Sequence, residues 1–194
     1  MGEARPPRVP VEIVEFRPTD EIQLAQTADV LFRAMERLTT AWPTVDAAIG
    51  ELIEISRIKD GVVLVALDPA GEARGIVGGQ PMYPGEVLEL HPMAVAPELQ
   101  GRGIGRALVE GLEGWAKRAG YNSVLLGTDD ELGQTTLAGV DLYPDPLEKL
   151  AAIRSTAHHP FVFYRKLGYS IVGVIPDASG FGRPDIWMCK RLAE

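Results

Sequence analysis

Residues 93–107 read Met93-Ala94-Val95-Ala96-Pro97-Glu98-Leu99-Gln100-Gly101-Arg102-Gly103-Ile104-Gly105-Arg106-Ala107, and this passage decides how the rest of the chain is read. Its apolar start suits the end of a strand, and the spacing that begins at Ile104 suits an amphipathic helix. Three glycines in five residues leave the backbone bare, so its N–H groups can approach an anion that side chains would block. The helix beyond contributes the positive end of its dipole. Arg102 and Arg106 add charge. A strand, a glycine turn and a helix in this order make a seat for a phosphate.

Two common phosphate loops are excluded by spacing. A P-loop needs Gly, four residues and then Gly-Lys-Ser/Thr, and no such run occurs. A dinucleotide fingerprint needs a small residue three positions after its second glycine; counted from Gly101 and Gly103, that position is Arg106. The pattern Gln100-x-x-Gly103-x-Gly105-x-Ala107 instead resembles the acetyl-CoA pyrophosphate loop of the GCN5-related N-acetyltransferases (GNAT family). A second match is Phe163-Tyr164-Arg165-Lys166-Leu167-Gly168-Tyr169, similar to that family's late helix, where an aromatic pair precedes the cap.

Working outward, the 194 residues suit one domain: a loose Pro/Arg-rich segment at residues 1–10, then a single catalytic domain at 11–194. Periodicity predicts a strand at 11–17, helices at 21–40 and 44–58 (with Thr44 as N-cap), and strands at 61–67, 73–80 and 87–95. A helix at 104–119 follows, with Ile104, Ala107, Leu108, Gly111, Leu112, Trp115 and Ala119 as its apolar stripe and Gly120 as its cap. A strand at 123–128, a helix at 161–167 and strands at 169–175 and 185–191 complete the chain. The order is β-α-α-β-β-β-α-β-α-β-β, with a short helix also allowed at 147–153. The fold class is α/β (α+β), and the resemblance implies a GNAT fold: a mixed, mostly antiparallel twisted sheet of about seven strands with helices on both faces.

Composition narrows the function. A net charge of −8 argues against a general nucleic-acid binder and suits a cationic ligand. No apolar run approaches a membrane span, and residues 1–8 lack an apolar signal core, so a cytoplasmic protein is expected. No Cys/His metal spacing is present. The single cysteine, Cys189, allows no internal disulfide and reads as a buried structural thiol.

The resemblance implies an enzyme moving the acetyl group of acetyl-CoA to a primary amine. An alkyl ammonium has a pKa of about 10.4, so a base beside it is useful at pH 7. Glu89 and His91 are two apart and share a face of the strand 87–95. Glu89, four residues before Met93, is the expected base, acting directly or through water; His91 is the second candidate. Pro92 inside that strand predicts an edge or a bulge. Backbone N–H groups at Met93 or Val95 are the implied donors to the oxyanion, and Tyr164 holds the family position for the acid that protonates the thiolate. Cofactor contacts are expected from Met93, Ala94, Val95, Gln100, Gly101, Arg102, Gly103, Ile104, Gly105, Arg106, His159 and Tyr164. The sequence departs from the family at Ala157, where an Asn contacting the cofactor is common; His158 or His159 is the available replacement.

Residues 129–159 form an acidic insertion. Asp129, Asp130, Glu131, Asp141 and Asp145 could ring a pocket mouth and steer a cationic acceptor, with Trp42, Tyr83 and Phe181 as apolar walls. The run from Gly173 to Ile186 is similar to the aminoglycoside 6′-N-acetyltransferase branch of the family. A polyamine, an amino acid or a protein amine is an alternative acceptor. A CoA-binding regulatory module without turnover is the alternative of another class. A homodimer is expected from the family resemblance.

Overall fold

The computed structural model describes residues 6–36, 38, 41–83 and 85–192. They form two compact units that divide after Asn122.

The first unit holds strands β1 (Glu12–Glu15), β2 (Val62–Leu67), β3 (Ala73–Met82) and β4 (Val87–Val95), paired antiparallel in that order. Helices α1 (Glu21–Met35) and α2 (Val45–Ser56) precede β2, and α3 (Ile104–Ala119) follows β4 through a 3-10 turn at Pro97–Leu99. Side-chain oxygens start both early helices: Asp20 accepts from the Gln23 N–H at 3.0 Å, and Thr44, the expected cap, accepts from Ala47 at 3.1 Å. Helix α1 stops at Met35 rather than continuing to residue 40; Leu38, counted into its stripe, is exposed, and residues 39 and 40 lie outside the described residues.

Alternation along β3 sorts its residues to two faces. Ile76 joins Leu31, Leu52, Val63 and Val65 in the core made with α1 and α2. Gly75 and Gly79 point the other way, under α3. A Cβ on Gly75 would lie 2.9 Å from Leu108 Cδ1, and one on Gly79 would lie 2.8 Å from Leu112 Cδ1. The missing side chains let α3 lie directly on the sheet. Ile104, Leu108 and Leu112 are fully buried there, each contributing about 1.5–3 kcal/mol by leaving water. The stripe is broader than its periodicity suggested: Val109, Glu113 and Ala116 are also buried, whereas Ala119 is exposed. Gly120 caps the helix with φ +91°, as expected.

The second unit holds β5 (Ser123–Asp129), β6 (Ser170–Ile175) and β7 (Asp185–Arg191), with β7 paired antiparallel to both of the others. Two short helices, α4 (Pro146–Ala151) and α5 (Phe161–Arg165), lie between β5 and β6 in the chain. Ile186 and Met188 of β7 are buried, but Cys189 is half-buried because it alternates to the other face, so the expectation of a buried thiol is corrected.

The acidic insertion is an ordered structure with its own ladder. Thr135 bridges Ser155, the Thr136 N–H donates to Arg154 O at 3.0 Å, and the Thr156 N–H donates to Gln134 O at 2.8 Å. It is also tied to the loop before β7: Asp130 N–H donates to Pro184 O at 2.9 Å, and Gly139 N–H to Gly182 O at 2.8 Å. Among the described residues, no helix is long and apolar enough to cross a membrane.

Candidate active site

The glycine loop leaves β4 and enters α3 without a side-chain cap. Gly103 is the N-cap residue, with φ +95°, and no side chain bonds the first amides of the helix. Gly101 has φ +74°, and nothing stands within 4 Å of a Cβ built on it. Both positions need a backbone conformation that L side chains rarely adopt. The result is a turn whose backbone carries no side chains of its own at Gly101 and Gly103, at the positive end of a sixteen-residue helix. Gln100 ties the loop to its strand, its Nε2 donating to Val95 O at 3.3 Å. Ile104 is buried, so its side chain anchors the helix and only its backbone is left for a ligand. Arg106 pairs with Glu110 at 3.1 Å, one turn along α3, and therefore shares its positive charge.

Upstream on β4, Leu88 and Leu90 face inward while Glu89 and His91 take the alternate face. The bulge expected from Pro92 is present: Gly79 pairs with Leu90 and Val77 with Met93, so His91 and Pro92 together oppose Gly78. A Cβ on Gly78 would fall 2.3 Å from His91 O, so only glycine fits opposite the bulge. Glu89 is half-buried and accepts from Gln80 Nε2 at 2.8 Å, its cross-strand partner on β3. That bond fixes one carboxylate oxygen; the carboxylate has further lone pairs that can accept from a donor amine. His91 is exposed, with its ring centroid 6.1 Å from that of Trp42. Trp42 is 9% exposed and donates from Nε1 to Glu51 at 3.2 Å, so it belongs chiefly to the core. Tyr83, in the β3–β4 turn, is 62% exposed and open to a ligand.

In the second unit, several residues expected at a pocket mouth or cofactor contact are placed otherwise. Asp130 is 1% exposed. Its carboxylate accepts from the Gln134 N–H, from the Thr135 N–H at 3.0 Å and from Thr135 Oγ1 at 2.7 Å. This charge holds the insertion together and is not available at a rim. His159 is equally buried and does not present a polar atom to a cofactor. Its Nδ1 accepts from the Phe161 N–H at 3.2 Å, which leaves the proton on Nε2 to donate to Asp129 O at 3.3 Å. Burial holds its pKa below the ordinary histidine value, against the opposing pull of Asp130, 4.0 Å away, and of Asp129. Ser155 Oγ accepts from the His159 N–H at 2.9 Å, closing a polar box under the insertion. Ala157 and His158 are exposed.

The other acids do lie at the surface. Asp129 is exposed and accepts from Ser179 Oγ at 2.9 Å; Glu131 faces Arg183 at 3.6 Å; Asp141 is exposed and accepts from the Tyr143 N–H at 3.0 Å; Asp145 is exposed at the start of α4. Tyr164 lies on α5 and is 6% exposed, with Phe163 and Tyr169 edge-on at 5.0 and 5.7 Å. Burial alone pushes its phenol well above the ordinary value. Such a group keeps its proton at neutral pH and releases it reluctantly. Gln80, Thr135 and Ser155 carry no signal in the sequence for these contacts. Only strand register, or a tertiary network, reveals them.

Comparison with known proteins places this geometry. Residues 28–138 match the profile of the acetyltransferase (GNAT) family. The chain is 36% identical to an aminoglycoside 6′-N-acetyltransferase crystallised with coenzyme A, over 94% of this chain and 98% of that one, with a TM-score of 0.84. It is 34% identical, with the same coverage and TM-score, to the aminoglycoside 6′-N-acetyltransferase of Enterococcus faecium. An aminoglycoside 6′-acetyltransferase of type Ii is 28% identical with a TM-score of 0.71. No curated protein sequence matches the chain. With an uncapped glycine turn entering α3 and a family match over more than half its length, the chain belongs to the GNAT family of acetyl-CoA-dependent N-acetyltransferases and has that family's fold.

Proposed function

We propose that this acetyltransferase acts on a primary amine of a small cationic acceptor, with the 6′-amine of an aminoglycoside as the leading substrate, in the cytoplasm. The observation that carries the acceptor class is the likeness, over nearly the whole chain, to two aminoglycoside 6′-N-acetyltransferases at 34% and 36% identity. Surface carboxylates at Asp129, Glu131, Asp141 and Asp145 support a cationic acceptor. Modification of an aminoglycoside would confer antibiotic resistance on a host.

The glycine turn fits the diphosphate of the coenzyme, because Gly101 and Gly103 carry no side chains and α3 has no competing cap. Met93, Ala94 and Val95 line the end of β4, from which backbone N–H groups would hold the carbonyl oxygen, while Gly105, Arg102 and Arg106 continue the loop. Bound acetyl-CoA supplies an acetyl group activated as a thioester. Glu89, held by Gln80, takes the proton from the acceptor ammonium through its carboxylate or a water. His91 is the alternative base. Tyr164 keeps its hydroxyl proton at neutral pH and is assigned as the donor to the departing sulfur. A second copy of the chain is proposed as partner, because β6 is an end strand of its sheet with Val172 and Ile175 exposed.

Release of free thiol across a panel of amines tests this reading. Aminoglycosides bearing a 6′-amine are expected to turn over faster than polyamines, amino acids and basic peptides. Coenzyme binding without turnover on any amine would make the chain a CoA-binding module and reject the enzyme mechanism. Glu89→Gln is expected to lower kcat by about 100-fold near pH 7 and less at high pH, where the amine is already neutral. An equal loss at every pH would remove Glu89 from the role of base.

A further inference from the structure

The stretch before β1 lies on the glycine turn. The Val9 N–H donates to Arg102 O at 3.2 Å, which fastens this segment to the loop backbone. The neighbouring Arg8 then runs alongside Gly103: its Cγ, Cδ and Nε are 3.6, 3.8 and 4.0 Å from the point where a Cβ on Gly103 would stand. Arg8 is exposed, so its guanidinium keeps access to a ligand arriving from solvent. Of the two arginines within the loop, Arg106 shares its charge with Glu110. A protein of net charge −8 that must hold a polyanionic coenzyme gains from another cation at this point.

We propose that Arg8, delivered by the segment ahead of β1, is a further coenzyme-binding residue, its guanidinium contacting the diphosphate of coenzyme A at Gly103. This rests on the assignment of the glycine turn as the diphosphate seat. The chemistry suits it: a guanidinium presents a planar fork of donors that matches phosphate oxygens, and the bonds are charge-assisted. The stem packed along Gly103 limits how far the head can wander, so less freedom is lost when the ligand arrives. A Cβ on Gly103 would sit in ordinary contact with that stem, so the demand for glycine there comes from the backbone, with φ at +95°.

Coenzyme A also carries a 3′-phosphate, and calorimetric titration separates the two groups. Wild type, Arg8→Ala and Arg8→Lys are each titrated with coenzyme A, with dephospho-coenzyme A and with pantetheine. Arg8→Ala is expected to weaken coenzyme A and dephospho-coenzyme A by the same factor, roughly tenfold, and to leave pantetheine unchanged. Arg8→Lys should recover part of the loss, and the slope of log Kd against log salt should become shallower in Arg8→Ala. Unchanged affinity in Arg8→Ala overturns the proposal. So does a loss seen with coenzyme A and not with dephospho-coenzyme A, which moves the contact to the 3′-phosphate. Tighter binding in Arg8→Ala would make Arg8 a plug over the loop and overturn it as well. Failure of the wild type to bind coenzyme A would reject the seat itself, which sets that outcome apart from failure of Arg8 alone. Melting of each variant without ligand confirms that the exposed substitution leaves the fold intact.

Discussion

At Gly101 and Gly103 the chain runs as backbone without side chains of its own, with a helix dipole behind it. At 129–159 it does the reverse: Asp130, Thr135, Ser155 and His159 satisfy one another inside the insertion, and Asp129, Glu131, Asp141 and Asp145 are among the charges left nearer the surface. Backbone chemistry tolerates almost no side chain. Side-chain networks tolerate no missing partner. The two regions should therefore fail differently, the first in coenzyme affinity and the second in stability.

The sharpest way to break that contrast is Gly103→Val. With φ at +95°, a β-branched residue is strained by about 1–3 kcal/mol or more, and its methyls would cover the loop amides. Coenzyme A affinity is expected to fall by about 100-fold or more, since each 1.4 kcal/mol is tenfold. Titration calorimetry reads the outcome directly; an unchanged Kd would remove the loop from the binding site.

Asp130→Ala tests the other region. It strands the half-buried Gln134 N–H and the buried N–H and hydroxyl of Thr135. Losses of this kind run to about 1–3 kcal/mol per group and do not simply add, so a total near 3 kcal/mol is expected. The melting temperature should drop by roughly 6–12 °C, with coenzyme A affinity kept within about twofold of wild type. A variant that melts like wild type would return Asp130 to the surface acids.

The contrast also explains what could be read ahead of the structure. The loop was legible because glycine spacing, a preceding apolar run and a following 3.6-residue period are all local. The same holds for the Thr44 cap, the bulge at Pro92 and the Gly120 stop. The burial of Asp130 and His159 is not legible in the sequence, because nothing local distinguishes a buried acid from Asp129 beside it. Its burial is set by partners at 134, 135 and 159 and by the Pro184 carbonyl, which becomes a neighbour only when the chain folds. Helix α1 is shorter than its periodicity predicts for a related reason. Apolar periodicity carried on to Leu38, but no burial followed it.

A smaller effect concerns pH. His159 is buried as the neutral ring, with its pKa below the unfolded value of about 6.5. At pH 7 the ring is mostly neutral in both states. As pH falls below about 6.5, the unfolded chain takes up the proton more readily, so stability is lost toward acid pH. In His159→Gln this contribution is absent. Chemical denaturation at pH 7 and pH 5 should show a steeper loss in wild type than in the variant, on top of the variant's lower stability at pH 7. Equal losses would mean that the ring is free to charge in the folded state.

The surface acids should give the smallest change. Glu131→Gln with Asp141→Asn removes a half-buried carboxylate that faces Arg183 and an exposed one, and surface charges of this kind are worth about 0–1 kcal/mol each. Stability should hardly move. If these carboxylates steer a cationic acceptor, the double variant raises KM for that acceptor by about threefold at low ionic strength, and the difference fades as salt is added, because the screening length falls from about 30 Å at 0.01 M to about 3 Å at 1 M. kcat should stay as in wild type, since neither residue is placed in the proton transfer. A neutral amine acceptor serves as the control. An equal rise in KM for that control would trace the effect to altered loop structure, as would a rise that persists in high salt, and either result would leave the insertion with a structural role only.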